Sequence, residues 1–576
     1  MAQESVKSGI RVDFDLEMKT SDGITLRADV YRPSEGRWPV LLTRTMYSKA
    51  TNIGLAVAMH PLRAAKEGFA VVVQDVRGRF ASEGDFKPFA SESVDGAEAV
   101  QWAAAQPWSD GRVAMFGSSY MGATQMQAAA ASPPALAALS PIQASSDYWE
   151  GRSFRGGAFE LGALASVAMW SQGAGTLLRS GLRGEELRKR FAALRRGLSD
   201  MTKFLSVTPY EELRKTILIE AAPTVFEWWE HERGDDPYWK EMSLEHRYGN
   251  FNVPAFHVTS WHDPFHVGTL RNYEGLRRGA ASARARDAQA VLIGPWGHYP
   301  PKTSLLGAAR VGDLDLGLDA VLDIEALQLA WFQKWMHNDQ AAWKWKQRVR
   351  LFVMGKNIWR DEDDWPLARA RETPYFLQGG RGVGLANSAK AEIDRFRFDP
   401  SDPVPTHGGA HLLLESVFPQ GSLDQREIEA RPDVLVYDSP VLERELEVTG
   451  WVKAKLFVRS SAPSTDFTVK LVDRHPDGRS FNVCDGIRRV TFPKGGNGSG
   501  WSEVLVELGA TSMVFLPGHR LSVQISSSNF PRFDLNPNTG ELPRTAKERV
   551  PAAQEISVGG DFPSHLILPI VENAKG

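Results

Sequence analysis

The first 146 residues alternate between strand-like and helix-like segments, and this alternation restricts the fold more than any other feature of the chain. Strand patterns occupy 14–33 (a hairpin around Ser21-Asp22-Gly23), 39–44, 69–78 and 112–117. Helical spacing occupies 55–68 and 93–106 between them. Strands that alternate with helices typically form a parallel sheet with helices on its faces. We therefore expect an α/β fold.

The pattern changes twice further along the chain. Its 576 residues are more than a single hydrophobic core usually accommodates, so several domains are expected. Residues 147–245 lack strand patterns and are rich in helical ones, whereas strands and a helix return over 246–352. From 353 to 576 the pattern is nearly all β with Pro- and Gly-rich turns, which is typical of a sandwich or jelly roll. These changes predict an α/β domain (1–146 and 246–352), a helical cap inserted at 147–245, and a C-terminal β domain.

Charge and composition exclude several classes of protein. The formal net charge is -3 and the basic residues are scattered, which argues against a nucleic-acid groove or an anionic membrane surface as partner. No apolar run is long enough to span a membrane, and the first residues lack the apolar core of a signal peptide. The single cysteine, Cys484, fits a reducing compartment. We expect an unexported cytoplasmic protein that acts on small molecules.

The segment RVAMFGSSYMG (112–122) places two serines between a strand and a helical pattern. A nucleophile elbow requires this context, because a strained turn there exposes one serine hydroxyl at the carboxyl edge of the sheet. Gly117 stands two residues before Ser119, which favours Ser119 over its neighbour. The second glycine of the motif is displaced by one position to Gly122. An ordinary glycine-flanked turn is the alternative interpretation.

An acid and a base follow at the ends of two later strand patterns. Asp263 ends TSWHD and His298 ends IGPWGH. A serine needs a base to remove its proton and an acid to orient that base, and hydrolases of this class carry them in the order Ser, Asp, His. Taken singly, Asp263 reads as a turn residue and His298 as a loop histidine. The ordered set favours a catalytic triad.

Acyl transfer also needs donors for the developing oxyanion. The backbone N–H of Tyr120 comes with the elbow. Tyr47, in the loop after an early strand, offers a phenol, although a packed aromatic is the simpler interpretation of that residue alone. The close histidines and aspartate of WHDPFH (261–266) suggest a metal site only weakly, since neighbours on a strand point to opposite faces. We expect neither metal nor cofactor.

Several long motifs resemble the family of cocaine esterases and prolyl dipeptidyl-peptidases, on its bacterial cocaine esterase side. The motifs are FGSSYMGATQMQAA, RTMYSK, SWHDPF, GPWGHY, QDVRGRFASEGDF, LFVMGKNIWRDEDDWP, TDFTVKLVDRHPDGRS and LPGHRLSVQISSSNFPRFDLNPNTG. The resemblance implies an α/β-hydrolase core, an inserted helical cap and a C-terminal β jelly-roll domain. It explains the displaced glycine, because the family pattern is Gly-x-Ser-Tyr-x-Gly. It also implies that Ser119, Asp263 and His298 form the triad and that Tyr47 joins the Tyr120 amide in the oxyanion hole.

The same resemblance implies an aromatic acyl pocket, with packing in the core as the alternative for each residue. Its members would be Phe265, Trp170, Phe154, Leu413 and Leu414. The chain departs from the family pattern at His262 and His266, which flank the aspartate and put an identical substrate range in doubt.

Relatives that bind an ammonium group carry acids shortly after the triad aspartate, whereas here Pro264, Phe265, His266 and Val267 follow it. We expect a serine esterase that cleaves small esters with a hydrophobic or aromatic acyl group through an acyl-enzyme. The alternatives are an amidase, acylase or dipeptidyl-peptidase of the same family and, in a different class, a catalytically dead binding protein. Exposed jelly-roll edges leave a homodimer open.

Overall fold

The computed structural model describes residues 9–51, 59–298, 309–493 and 500–572. Its first part is built on a ten-stranded sheet. In spatial order the strands are Ile10–Lys19, Thr25–Pro33, Ala70–Asp75, Trp38–Thr45, Ser109–Ser118, Leu136–Ile142, Ala255–Ser260, Gln289–Gly294, Val349–Val353 and Ile358–Glu362. The inner strands pair in parallel, and the first two strands and the last are antiparallel to their neighbours.

Helices cover both faces of this sheet, as the alternation predicted. Every residue of the inner strands Ala70–Asp75, Ala255–Ser260 and Gln289–Gly294 is buried, which is why these strands read as nearly continuous apolar runs. The covering helices are Pro61–Lys66, Glu92–Ala104, Tyr120–Ala130, His266–Gly279, Ala283–Asp287 and Ile324–Met336. The N-terminal portion of the helix predicted at 55–68 lies outside the described residues. The α/β prediction is confirmed.

The sheet continues past residue 352, where the sequence predicted the β domain to begin. Ile358–Glu362 turns back and pairs antiparallel with Val349–Val353, which itself pairs in parallel with Gln289–Gly294. The hairpin therefore belongs to the first sheet, although its all-β pattern resembles that of the residues after it. The boundary at 352 needs this correction, because strand patterns alone do not tell which sheet a strand joins.

The segment between the sixth and seventh strands of the sheet is mostly helical and forms the cap. Its helices are Leu161–Ala168, Ala174–Arg179, Gly184–Ser199, Met201–Leu205, Ile217–Ala221, Thr224–Glu230 and Pro237–Met242, with a π-helical turn at Met169–Gly173. A short hairpin, Phe154–Arg155 with Ala158–Phe159, precedes them. A cluster of buried aromatic and aliphatic side chains joins these helices to residues that follow the sheet strands.

The C-terminal part is an eleven-stranded β structure. Its strands are Ala370–Gln378, Gly382–Gly384, Glu392–Phe398, Leu435–Asp438, Leu446–Ser460, Ser464–Arg474, Ser480–Thr491, Ser502–Phe515, Arg520–Ser526, Ala552–Val558 and His565–Val571. Leu446–Ser460 pairs with three different strands and so links the layers of the jelly roll. No helix in the described portion of the chain combines the length and apolarity needed to cross a membrane.

Buried ion pairs tie the cap to the C-terminal part. The Arg532 guanidinium donates from Nη2 to Glu160 at 3.1 Å and from Nη1 to Asp485 at 3.0 Å. All three side chains are buried. Losing either partner would leave an uncompensated buried charge, which is strongly destabilising. The cap therefore sits on the jelly roll as well as on the sheet.

Candidate active site

Ser119 occupies a strained turn between strand Ser109–Ser118 and helix Tyr120–Ala130. Its backbone has φ 59° and ψ -120°, a conformation that a non-glycine residue rarely adopts. The Ser119 N–H donates to the Ile142 carbonyl at 2.9 Å, which anchors the turn to the neighbouring strand. Strain of this kind persists only where the surroundings hold it, and it concentrates at functional sites. The turn leaves the Ser119 side chain partly exposed at the carboxyl edge of the sheet.

Different steric contacts explain why each of the two glycines of the motif has no side chain. Gly117 has φ 139°, and a Cβ there would lie 2.4 Å from the Cβ of Met121. A Cβ on Gly122 would lie 2.6 Å from the Ile142 carbonyl oxygen. The first helical turn therefore packs against the end of strand Leu136–Ile142 at Gly122 rather than at Met121, which explains the displaced glycine.

Asp263 and His298 meet at the same edge of the sheet. The Nδ1 atom of His298 lies 2.8 Å from the Asp263 carboxylate, and both side chains are buried. The Thr259 hydroxyl donates to the other carboxylate oxygen at 3.2 Å. Parallel strands place their carboxyl ends at one edge, so a residue after Ala255–Ser260 and one after Gln289–Gly294 come together.

The C-terminal part holds the backbone of His298. The Gln420 side chain accepts a hydrogen bond from the His298 N–H at 2.9 Å, and its amide donates to the His411 carbonyl at 2.7 Å. A Cβ on Gly297 would lie 2.4 Å from the Gln420 oxygen, so the two segments are in close contact. No sequence motif pointed to Gln420, because it lies 122 positions from His298 in an irregular segment.

Tyr47 follows strand Trp38–Thr45 and its phenol faces the elbow. Burial raises the pKa of Tyr47, while hydrogen bonding from the Ser119 side chain and from the Tyr120 backbone opposes the rise. The phenol is thus protonated at neutral pH and lies close to both the hydroxyl of Ser119 and the Tyr120 amide. This is the arrangement that a phenol needs to share an oxyanion with a backbone N–H.

The Tyr120 side chain anchors the elbow through hydrogen bonds of its hydroxyl. Its hydroxyl donates to Glu92 at 2.8 Å and accepts from the Phe89 N–H at 3.3 Å. Glu92 also forms a buried ion pair with Arg44. Burial, aided by the charge of Glu92, raises the pKa of Tyr120 well above its usual value, so the phenol stays protonated. No sequence motif indicated this network beneath the turn.

His262 and His266, where the chain departs from the family pattern, are both buried and neutral. Burial lowers the pKa of His262 to about 4 and that of His266 to about 3. The Nε2 atom of His266 accepts from the Ala510 N–H at 3.1 Å, which makes Nδ1 the donor to the Asp263 carbonyl at 2.6 Å. His266 therefore connects the turn that carries Asp263 to the jelly roll.

A cavity of about 40 Å³ adjoins Ser119. Of the five predicted pocket residues only Phe265 lines it, and its ring meets that of His298 edge-on with centroids 5.4 Å apart. Trp170 stands beside Tyr47, with ring centroids 6.3 Å apart, but is 41% exposed.

The other three predicted pocket residues lie elsewhere. Phe154 is packed in the cap core between the rings of Trp149 and Phe159. Leu413 is buried against the same core, and Leu414 does not line the cavity either. Leu412 reaches the cavity in their place. The direction of each side chain in this irregular segment depends on local backbone angles, which the sequence pattern does not specify.

The rest of the cavity wall comes from the cap and from loops after the strands. It consists mainly of aromatic and aliphatic side chains, together with one arginine and two glutamines. These residues include Phe89, Tyr148, Arg152, Trp228, Gln143 and Gln172. Sequence reasoning did not single out any of them, since they share no motif. A larger cavity of 920 Å³ lies between the core, cap and jelly roll, but its described lining includes none of Ser119, Asp263 and His298.

One group of side chains in the described residues has the composition of a metal site. Asp473, His475 and His519 bring their ligand atoms within 4.8 Å of one another in the jelly roll. Both rings contact the Asp473 carboxylate, His475 at 3.2 Å and His519 at 2.9 Å. An imidazole pair sharing one carboxylate accounts for this geometry without an ion. None of the three lines the cavity beside Ser119.

Comparison with known proteins gives consistent matches. Residues 22–300 match the model of the X-Pro dipeptidyl-peptidase (S15) family, and residues 341–567 match that of the X-Pro dipeptidyl-peptidase C-terminal non-catalytic domain. The cocaine esterase of Rhodococcus sp. (strain MB1 Bresler) is 38% identical over 96% of this chain and 97% of its own length.

Two solved structures share the fold over nearly the whole chain. An α-amino acid ester hydrolase superposes with a TM-score of 0.80 at 22% identity, covering 99% of this chain and 98% of its own. An aminopeptidase from a marine sediment Thaumarchaeota archaeon gives 0.79 at 24% identity, covering 98% and 96%. The α/β-hydrolase core, helical cap and C-terminal β domain are thus the architecture of these proteins as well.

Proposed function

This chain belongs to the cocaine esterase and X-Pro dipeptidyl-peptidase (S15) family, and from that premise we propose that it is a serine carboxylesterase whose triad is Ser119, Asp263 and His298. Ester hydrolysis by a serine hydrolase follows from the 38% identity to the cocaine esterase of Rhodococcus. The observation that supports the assignment of residues is the strained turn at Ser119, with the Tyr47 phenol beside the Ser119 side chain and the Tyr120 amide.

Each group has a role in the proposed reaction. The Asp263 carboxylate accepts the Nδ1 proton of His298, which leaves Nε2 as the base that removes the Ser119 hydroxyl proton. Ser119 Oγ then attacks the ester carbonyl, and the oxyanion is held by the Tyr47 phenol and the Tyr120 N–H. The alcohol leaves with the proton from His298. Water adds to the acyl-enzyme by the same route and releases the acid.

The cavity supports a hydrophobic or aromatic acyl group. Phe89, Tyr148, Trp228 and Phe265 present rings to it, and burial of such walls favours an apolar substrate portion. No acidic side chain is among the described lining residues, and the one charged group there is an arginine. A substrate ammonium would be repelled at this site, which disfavours the dipeptidyl-peptidase and amino-ester alternatives.

Labelling with a fluorophosphonate probe tests the proposal. The wild type and Ser118→Ala should be labelled, whereas Ser119→Ala should not. Ser118 is a matched control because it is the adjacent serine and is buried, with its hydroxyl 3.4 Å from the Gln143 side chain. An unlabelled wild type would contradict the esterase and favour a binding protein with a dead hydrolase core. Labelling that survives Ser119→Ala would place the nucleophile elsewhere.

A further inference from the structure

Arg152 is the one charged side chain among the described residues that line the cavity beside Ser119. Its guanidinium lies between two rings of the wall, 4.6 Å from the centroid of Phe89 and 4.1 Å from that of Trp228. Cation–π contacts with these two rings hold the guanidinium in place. Its charge also acts on the phenol of Tyr47, so it lies near the reacting groups.

The guanidinium has no carboxylate partner within the described part of the chain. It makes one hydrogen bond there, from Nη1 to the Ser153 hydroxyl at 2.9 Å. An arginine carries five N–H donors, so most of them have no partner among the described residues. Burial lowers the pKa of Arg152 to about 10, and the group therefore remains a cation at neutral pH.

Two other arginines of this protein, both buried, are paired with carboxylates. Arg155, three positions further on, lies 3.3 Å from Glu160, and Arg532 binds both Glu160 and Asp485. Removing a cation from water without an anion is costly, which is why buried charges are normally paired. Arg79 has no carboxylate partner among the described residues either, but its guanidinium donates to the carbonyls of Met46, Ser171 and Gln172. Arg152 is half-buried, makes a single hydrogen bond to the described residues and lines the cavity beside Ser119. A ligand anion would supply the missing partner.

We propose that Arg152 binds a carboxylate at the far end of the acyl group, so that the preferred substrates are monoesters of dicarboxylic acids with an apolar middle portion. The proposal rests on the proposed esterase function. A planar guanidinium suits a carboxylate because two parallel N–H groups can meet its two oxygens. The aromatic wall would contact the apolar portion, and the ester carbonyl would lie at Ser119. The free carboxylate takes no part in bond cleavage.

A pair of matched esters tests this assignment. The para-nitrophenyl monoester of adipic acid and para-nitrophenyl hexanoate have acyl chains of equal length and differ in the terminal carboxylate. The measured quantity is the ratio of kcat/KM for adipate to that for hexanoate. We expect the wild type to prefer the adipate ester, and Arg152→Gln to lower the ratio at least tenfold, because a hydrogen-bonded charge pair is lost. Arg152→Lys should retain part of the preference.

The control is Arg233→Gln, which removes an exposed arginine paired with Asp235 and should leave the ratio unchanged. A wild type that prefers hexanoate overturns the carboxylate site, whether or not the Arg152 variants fold. An Arg152→Gln ratio equal to that of the wild type also overturns it and assigns the arginine to packing between rings. Failure of the esterase proposal looks different, since neither ester would be hydrolysed and Ser119 would not react with the fluorophosphonate.

Discussion

Replacing Gln420 by methionine tests whether the jelly roll positions His298, the base of the proposed triad. The change keeps the length of the side chain but removes two hydrogen bonds, the one accepted from the His298 N–H at 2.9 Å and the one donated to the His411 carbonyl at 2.7 Å. A buried polar group left without its partner costs about 1–3 kcal/mol. The loop that carries His298 can relieve this cost only by moving away from its present place.

The expected loss of activity follows from that displacement of the loop. A shift of about 1 Å at a catalytic group can lower the rate about 100-fold. We therefore expect Gln420→Met to lower kcat by about 10- to 100-fold, equivalent to about 1.4–2.8 kcal/mol of transition-state stabilisation. KM should change much less, because Gln420 is not among the residues described as lining the cavity beside Ser119.

Steady-state hydrolysis of a para-nitrophenyl ester gives kcat and KM, and the rate of fluorophosphonate labelling reports on Ser119 activation separately from product release. Gln333→Met is the matched control. Gln333, on the helix Ile324–Met336, is also a buried glutamine whose side-chain amide donates to a backbone carbonyl, that of Glu67 at 3.0 Å. Both variants should lower the apparent Tm. If kcat of Gln420→Met stays within twofold of the wild type while the Tm falls, the glutamine only stabilises the fold and the reasoning is refuted.

Three further changes have defined outcomes. Tyr47→Phe should lower kcat about 100- to 1,000-fold by removing one oxyanion donor, and a loss below threefold in ester turnover would exclude that role. Gly122→Ala should lower the Tm and should lower kcat at least tenfold, because its Cβ would lie 2.6 Å from the Ile142 oxygen. Gly249→Ala is the control and should change neither, because the nearest atom to its Cβ would be 3.9 Å away. Burial lowers the pKa of His257 to about 4, so the unfolded chain binds an extra proton between about pH 6.5 and 4 and stability falls as pH decreases, by about 3 kcal/mol from this group. His257→Gln should flatten the pH dependence of Tm in that window, and an unchanged slope would contradict the burial argument.

Local sequence patterns were sufficient to predict those features that depend on interactions between residues close in the chain. The alternation of strand and helix predicted the α/β core, because the spacing of apolar residues indicates which face of each helix or strand is buried. The elbow followed from Gly117 and Ser119 because a strained turn restricts residue types at short range. Chain order then led to Asp263 and His298, since parallel strands end at one edge of a sheet.

Other features needed the packed structure. Strand Ile358–Glu362 joins the first sheet rather than the jelly roll, and Leu412 lines the cavity where Leu413 and Leu414 were expected. A period of two identifies a strand but not its sheet partner, and an irregular segment has no period from which to read the direction of a side chain.

The tertiary structure alone decided which distant residues support the chemistry. Gln420 holds His298 across 122 positions, and Arg152 lies without a carboxylate partner, among the described residues, in a ring of aromatic side chains. Residue types at these positions are common in any chain, and their roles depend on which atoms surround them after packing. The sequence by itself therefore determined the class of fold and the order of the reacting residues. Only folding decided the partners of those residues and the position of a charged side chain at the cavity beside Ser119.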